Sequence, residues 1–196
     1  MVDGGSEDAT AQLARPLADR VLEAPQGRAR QMNAGAAAAR GDVLLFLHAD
    51  TLLPEDAAAL IALGMGATGR KWGRFDVSIA GTHPLLSAVS FLMNLRSRWT
   101  GIATGDQAIF VSREAFAKVG GFPEIPLMED VEISSRLKSL SPPLCVRSRA
   151  VTSGRRWERD GVLRTILLMW KLRFAYAMGV APERLARRYG VERTSS

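Results

Sequence analysis

Hydrophobic positions along the chain form short apolar runs that alternate with longer stretches of helical spacing. The run from Val43 to His48 has the length of a strand buried on both faces, and it ends in His48-Ala49-Asp50. Pro54 precedes a helical stretch, because proline is tolerated in the first turn of a helix. The same reasoning predicts helices over 9–18, 33–40, 55–63, 85–99, 112–119, 128–140 and 161–177, and strands over 72–80, 109–111 and 144–151.

Strands and helices alternate in this order, which is typical of the α/β class with a mostly parallel sheet flanked by helices. A chain of 196 residues with 47% hydrophobic content can bury one sizeable core. We therefore expect a core domain over residues 1–157 and a basic, amphipathic helical appendage over 158–196.

The charge of the chain indicates an anionic partner. The net charge is +6, and the segment 147–193 holds many arginines and few acids. Nucleic acid, an acidic membrane surface and a phosphorylated small molecule all fit this charge, but an aromatic content of 7% offers no stacking platform for nucleic acid. We expect no nucleic-acid partner.

Cysteine usage and hydropathy favour the cytoplasm. The single Cys145 allows no disulfide framework, and the first twenty residues lack the pattern of a secretory signal. The apolar stretch 162–180 is interrupted by Arg164, Lys171 and Arg173, so it is a poor membrane span. It fits association with the inner face of the membrane, and the stripe of Val162, Ile166, Leu167, Trp170 and Phe174 fits either core packing or such an anchor.

Two pairs of polar residues carry candidate chemistry. His48 and Asp50 leave a strand end on the same side, where they can bind Mg²⁺ or Mn²⁺; alternatively, Asp50 only caps the following helix. Glu129 and Asp130 open a helix, where carboxylates interact favourably with the helix dipole, and one of them can act as a general base.

Three further segments have an ordinary reading and a functional one. Arg28, Arg30 and Asn33 near a helix start suit phosphate or a base edge, or form a solvated face. Gly105-Asp106-Gln107 is either a turn or a polar floor for a sugar. A third group can stack on a ring and pair with phosphate, or be a surface charge run; it comprises Arg155, Arg156 and Trp157.

The order of these motifs resembles a family 2 glycosyltransferase of the GT-A fold. Val-Asp-Gly-Gly-Ser-x-Asp-x-Thr begins at Val2, Asn-x-Gly-x-x-x-Ala-x-Gly-Asp begins at Asn33, and His-Ala-Asp, Gly-Gly-Phe and Glu-Asp follow. More narrowly, Thr104-Gly-Asp-Gln-Ala-Ile-Phe and Gly154-Arg-Arg-Trp-Glu-Arg resemble the radical-SAM/selenodomain-associated transferases, a subgroup sometimes assigned to arsenosugar biosynthesis.

The resemblance implies roles for individual residues. Asp50 is the metal-binding end of a DXD-like motif, with His48 in the place of its first Asp, and Asp130 is the catalytic base, supported by Glu129. Arg156-Trp157 resembles the end of a QxxRW motif, but Ser153 departs from that motif, so processivity is not implied. A nucleotide-sugar site is implied at Asp3, which meets the nucleobase or ribose, and at Gly4, Ser6, Arg28, Arg30, Asn33, Ala49 and Asp50. Binding of the acceptor or of phosphate falls to Asp106, Gln107, Arg155, Arg156 and Trp157.

The implied reaction is metal-dependent, inverting transfer from a nucleoside-diphosphate sugar to a hydroxyl acceptor. Relatives carry a strand and a helix before the Val2 motif, whereas only Met1 and Val2 precede the turn here. We therefore expect an unfilled gap or edge in the sheet, with low stability or homodimer formation through it. The alternatives are an impaired nucleotide-sugar-binding fragment, a nucleotidyltransferase, and a membrane-surface or partner-binding protein that uses the basic C-terminal helix.

Overall fold

The computed structural model describes residues 1–190 as a mixed α/β structure. The strands are β1 (Val2–Asp3), β2 (Leu22–Glu23), β3 (Val43–Leu45), β4 (Thr51–Leu52), β5 (Trp72–Ala80), β6 (Phe110–Ser112) and β7 (Leu144–Ser153). The helices are α1 (Thr10–Ala14), α2 (Arg28–Ala38), α3 (Ala57–Thr68), α4 (Leu85–Thr100), α5 (Arg113–Lys118), α6 (Glu129–Lys138), α7 (Arg155–Asp160), α8 (Val162–Ala177) and α9 (Pro182–Tyr189). Short 3₁₀ turns lie at Arg15–Leu17 and Gly105–Gln107.

Local signals place most of these elements where the sequence predicts them. The Ser112 side chain accepts a hydrogen bond from the Ala115 backbone N–H at 3.2 Å and so begins α5. Gly69 and Gly101 end α3 and α4 in the left-handed conformation that glycine adopts at low cost. Helix α9 was not predicted as a separate element.

The main sheet has the strand order β3-β6-β5-β7-β4. Strands β5 and β7 pair in parallel over their length, and the other three pairings are antiparallel. The sheet is thus mixed where the sequence predicted a mostly parallel one, because an apolar run reports burial and carries no direction. The α/β class is confirmed.

The first two strands of the chain, β1 and β2, do not belong to this sheet. Strands β1 and β2 form a separate two-stranded sheet, and β3 is an edge strand of the larger one. Val43 is 38% exposed, so the prediction that this strand is buried on both faces is wrong. Within residues 1–190, β1 and β3 do not pair, although Val2 and Val43 line the same cleft, and the unfilled gap stays a prediction.

Two apolar clusters involve the central strand β5. Trp72 belongs to one, with Phe122 and Ile133, and Phe75 belongs to the other, with Ile61 of α3. A third cluster packs Leu172 of α8 and Leu185 of α9 against Leu127 and Met128. The C-terminal helices are therefore fastened directly to the residues that precede Glu129-Asp130.

Helix α7 spans the predicted domain boundary at residue 157, and the last six residues of the predicted appendage lie outside the described part. Within residues 1–190, no helix has the length and apolar character needed to cross a membrane.

Candidate functional site

One large cleft of about 1620 Å³ holds most of the predicted site residues. Helices α2, α4, α6 and α8 contribute to its lining, together with the segment after β3 and the turn before β6. Its walls bring together Arg28, His48, Ala49, Asp50, Asp106, Glu129, Asp130, Arg156 and Trp157. Residues distant in sequence thus share one solvent-accessible space.

Asp130 is held by backbone donors on both of its carboxylate oxygens. Oδ2 accepts from the Gly105 N–H at 3.0 Å, and Oδ1 accepts from the Val131 N–H at 2.8 Å. Ser134 Oγ donates to the Asp130 carbonyl at 2.7 Å. Because each carboxylate oxygen can accept more than one hydrogen bond, Asp130 keeps capacity for an acceptor hydroxyl in a fixed orientation.

Backbone strain is concentrated around this residue. Met128 has φ of 72° and Ala108 has φ of 48°, and these are the only residues other than glycine with positive φ between positions 1 and 190. Met128 precedes Glu129-Asp130, and Ala108 follows the Gly105–Gln107 turn that contacts Asp130. Such conformations cost of order 1–3 kcal/mol each and persist where the surrounding structure imposes them.

Glu129 is buried and anchors Arg28. It is only 2% exposed, and its Oε1 lies 3.5 Å from Arg28 Nη1. Burial and the charge of Asp130 raise the pKa of Glu129, and the charge of Arg28 opposes them. Glu129 therefore orients a cation at the cleft and does not face the cleft as an exposed base.

His48 is fixed between Asp106 and Gly105. Its Nδ1 lies 3.5 Å from Asp106 Oδ1, and a Cβ added at Gly105 would lie 2.3 Å from the imidazole ring. Burial alone would lower the pKa of His48, but its polar contact with Asp106 outweighs burial and raises it. Burial alone would raise the pKa of Asp106, but the contact with His48 and the charges of Arg28 and Arg173 lower it. Position 105 thus requires glycine.

Asp50 contrasts with these residues because it is exposed. The Ser153 N–H donates to its backbone carbonyl at 3.1 Å, and no residue in 1–190 forms a hydrogen bond or ion pair with its carboxylate. The described residues contain no group of three or more His, Cys, Asp or Glu side chains placed to hold a metal ion. A divalent ion fits here only if donor oxygens complete its coordination, with Asp50 as the protein ligand.

The Asp3 loop folds onto itself. The Asp3 carboxylate accepts from the Gly5 N–H at 3.0 Å, the Ser6 N–H at 2.8 Å and the Ser6 hydroxyl at 2.6 Å. The hydrogen bond from the Ser6 side chain is the main cause that lowers the pKa of Asp3. Gly4 lies against Gln31, where a Cβ would come within 3.0 Å of the amide. Asp3 and Ser6, which the sequence predicts to bind the nucleotide sugar, thus stabilise the loop through hydrogen bonds to each other.

Two predicted nucleotide contacts on α2 bind other parts of the protein. Arg30 Nε lies 3.2 Å from Glu124 Oε2 on the surface. The Asn33 side chain donates to the Phe122 carbonyl at 2.9 Å and accepts from the Phe122 N–H at 3.0 Å. Asn33 thereby joins α2 to the loop that leads towards Glu129.

Gln107 and Arg155 also bind the protein. Gln107 is buried; its Oε1 accepts from the Thr104 N–H at 3.2 Å, and its Nε2 donates to Asn94 Oδ1 at 3.3 Å. Arg155 Nε donates to Ser153 Oγ at 3.1 Å. Within the turn 105–107, the charged side chain that lines the cleft is that of Asp106.

Arg156 and Trp157 connect the cleft to the C-terminal helices. The Arg156 guanidinium carbon lies 3.8 Å above the centre of the Tyr189 ring, and Nε lies 3.6 Å from Asp160 Oδ2. Trp157 packs against an apolar cluster that includes Val162. Tyr189 belongs to α9, and Pro182 at its start is the signal that could have predicted this helix.

Sequence reasoning missed two arginines in the cleft wall. Arg96 of α4 and Arg173 of α8 both line the cleft. The available signal was their position, because each continues the apolar face of its helix, where an arginine is out of pattern.

A family model described as glycosyl transferase family 2 matches residues 1–113 of the chain. No curated protein matches the sequence of the chain.

Solved structures share the fold at low sequence identity. One is TarS 1-349 from S. aureus in complex with UDP-GlcNAc, with a TM-score of 0.59 and 15% identity, covering 78% of this chain and 48% of that one. Another is the mannosyltransferase PcManGT from Pyrobaculum calidifontis in complex with GDP-Man and Mn²⁺, with a TM-score of 0.62 and 18% identity, covering 95% of this chain and 57% of that one. The chain thus spans about half the length of these structures. The likeness confirms the predicted GT-A fold.

Proposed function

The chain belongs to glycosyltransferase family 2, and on that premise we propose that it transfers a sugar from a nucleoside-diphosphate sugar to an acceptor hydroxyl, with inversion at the anomeric carbon. The observation that carries this proposal is the placement of Asp130 in the same cleft as Asp50 and Arg28. A general base and a site for a metal-bound diphosphate are the two parts that such a displacement needs.

Asp130 acts as the catalytic base in this proposal. It takes the proton of the acceptor hydroxyl while that oxygen forms a bond to the anomeric carbon, and the bond from this carbon to the diphosphate oxygen breaks. Attack from the face opposite the leaving group inverts the configuration. The hydrogen bond from the Gly105 N–H keeps the carboxylate in place during the proton transfer.

Asp50 holds the divalent metal in this proposal, Mn²⁺ or Mg²⁺. When bound, the metal neutralises charge on the leaving diphosphate. Arg28 adds a positive charge at the same cleft, and Glu129 keeps its guanidinium in position. His48 would be the second protein ligand through Nε2, because its Nδ1 faces the Asp106 carboxylate.

The first test is calorimetric titration of the protein with UDP and with GDP, each with and without Mn²⁺. Metal-dependent binding is expected, followed by release of the nucleoside diphosphate when sugar nucleotides and acceptors are supplied. Binding without any turnover would instead support the nucleotide-sugar-binding alternative, and pyrophosphate release from nucleoside triphosphates would support a nucleotidyltransferase. Membership of the radical-SAM/selenodomain-associated subgroup, carried by residues 104–110 and 154–159, stays a prediction.

A second proposal concerns attachment to a membrane surface, and exposed apolar side chains of α8 favour it, of which Trp170 also lines the cleft. Leu167, Trp170 and Phe174 are 58%, 68% and 70% exposed, so the part of the predicted stripe after Ile166 is not core. Lys171 lies among them and adds positive charge for anionic headgroups.

Sedimentation with vesicles tests this attachment. Binding is expected with phosphatidylglycerol vesicles, weaker binding with phosphatidylcholine, and loss of binding in the double variant Trp170→Ser, Phe174→Ser. Leu63→Ser is the matched control, because Leu63 is similarly exposed at 71% but lies on α3. Elution as a dimer with no vesicle binding would favour homodimer formation, which stays a prediction.

A further inference from the structure

Helices α4 and α8 pack against each other at one end of the cleft. Val89 and Met93 of α4 share an apolar cluster with Val162 and Ile166 of α8. Positions three, four and seven residues apart lie on one face of a helix. The packed faces of the two helices are therefore set by these four residues.

Arginines occupy the next positions along both faces. On α4, Arg96 follows Met93 by three residues; on α8, Arg173 follows Ile166 by seven. Both side chains line the cleft, and the charge of Arg173 contributes to the pKa of Arg96, so the two guanidinium groups sense each other. Two cationic side chains thus line the cleft beyond the apolar contact of the two helices.

The pair has no counter-ion of its own. Arg96 Nε and Nη2 are buried without a hydrogen-bond partner, and neither arginine forms an ion pair within the described part of the chain. Burying an unpaired charged group is costly, so such a group marks a position where a ligand completes the bonding. Burial, with the charge of Arg173, lowers the pKa of Arg96 to about 10, which leaves it cationic at neutral pH.

The carboxylates whose charges affect the pKa values of these arginines relate the pair to the proposed catalytic base. The charge of Asp130 raises the pKa of both arginines, and that of Asp106 raises the pKa of Arg173. Asp50 is not among the causes for either pKa. Both arginines line the same cleft as Asp130, the proposed base, whose charge reaches both of them.

We propose that Arg96 and Arg173 bind a phosphate group carried by the acceptor. This inference rests on the proposed function, because it names the acceptor class of the same site. Two guanidinium groups that form no ion pair within residues 1–190 match a dianion, and their planar forks suit phosphate oxygens. A phosphorylated acceptor bound here would present its hydroxyl beside Asp130.

Calorimetric titration with inorganic phosphate tests the pair, using protein saturated with UDP or GDP and Mg²⁺. Phosphate is expected to bind the nucleotide-saturated protein, and its Kd is expected to rise roughly tenfold or more in Arg96→Gln and in Arg173→Gln. Nucleotide binding is expected to stay unchanged in both. Arg164→Gln is the matched control, because Arg164 is exposed on α8 and does not line the cleft.

Three results would overturn the proposal. They are displacement of phosphate by the nucleoside diphosphate, phosphate binding that neither substitution weakens, and acetate binding as tight as that of phosphate. Arg173→Gln, at the second arginine of the pair, decides the matter if Arg96→Gln unfolds. Failure of the proposed function has a different signature: a protein that binds neither nucleotide can still bind phosphate through the arginine pair.

Discussion

Asp130 and Asp50 line the same cleft in contrasting surroundings. Both carboxylate oxygens of Asp130 accept backbone hydrogen bonds, and Met128 and Ala108 store backbone strain beside it. Asp50 is exposed, and no hydrogen bond or ion pair within residues 1–190 engages its carboxylate. The difference indicates a base that is oriented before any ligand binds and a metal ligand whose site is completed by the donor.

The largest effect is expected from Asp130→Asn. The amide oxygen can still accept from the Gly105 N–H, so one of the two backbone hydrogen bonds is kept while the base and the acceptor for the Val131 N–H are lost. We expect the rate of nucleotide release from a sugar nucleotide with acceptor to fall by roughly 10²–10⁴-fold, with unchanged nucleotide affinity. Asp56→Asn serves as the control at an exposed position, and equal turnover in the two variants would exclude Asp130 as the base.

Asp50→Ala is expected to act on binding before chemistry. Loss of one charged metal ligand should weaken nucleotide binding in the presence of Mn²⁺ by roughly 10- to 100-fold and leave binding without metal unchanged. Asp42→Ala, an exposed carboxylate outside the cleft lining, should leave both affinities unchanged. If the Mn²⁺ dependence survives in Asp50→Ala, the metal is held elsewhere.

Gly105→Ala tests how tightly the Asp130 side of the cleft is packed. The new Cβ would lie 2.3 Å from the His48 ring, so we expect a loss of about 1–3 kcal/mol in the free energy of unfolding. Gly66→Ala is the matched control, because its Cβ would meet nothing within 4 Å in the last turn of α3. That variant should gain about 0.5–1 kcal/mol. Urea unfolding of both measures the contrast, and equal shifts would contradict it.

The smallest effect is expected from Glu129→Gln, and it depends on pH. Because the folded-state pKa of Glu129 is raised by burial and by Asp130, folding favours its protonated form. This contribution to stability is present below the unfolded pKa and is lost as pH rises through the raised folded value.

Thermal unfolding between pH 4 and pH 8 provides the measurement. The Tm of the unsubstituted protein should fall relative to that of Glu129→Gln as pH rises. Glu124→Gln, at an exposed carboxylate, should show no such trend. A Tm difference that is constant across this range would mean that the ion pair with Arg28 cancels the effect of burial, and the opposite trend would mean that the ion pair outweighs burial.

Local signals explain why so much of the fold was predictable. The cap at Ser112 and the apolar runs act over a few residues, so helices α4, α5 and α8 appear close to their predicted positions. Helix α3 continues to Thr68, past its predicted end at residue 63. Strand direction was not predictable, because it depends on which strands become neighbours in the folded chain. Strand β6 pairs antiparallel with both β3 and β5. The exposure of β3 was not predictable for the same reason, because the burial of a strand depends on whether it has neighbouring strands on both sides.

Among the site residues, the sequence by itself determined which residue types stand at strand ends and helix starts, and hence the pairs His48/Asp50 and Glu129/Asp130. Only the tertiary structure decided their partners. It turned Asn33 onto Phe122 and His48 onto Asp106, and it placed Arg96 and Arg173 in the wall of one cleft. The physical reason is range: capping and periodicity are contacts between near neighbours in the chain, whereas the charge and hydrogen bonding of a cleft depend on side chains brought together from distant segments.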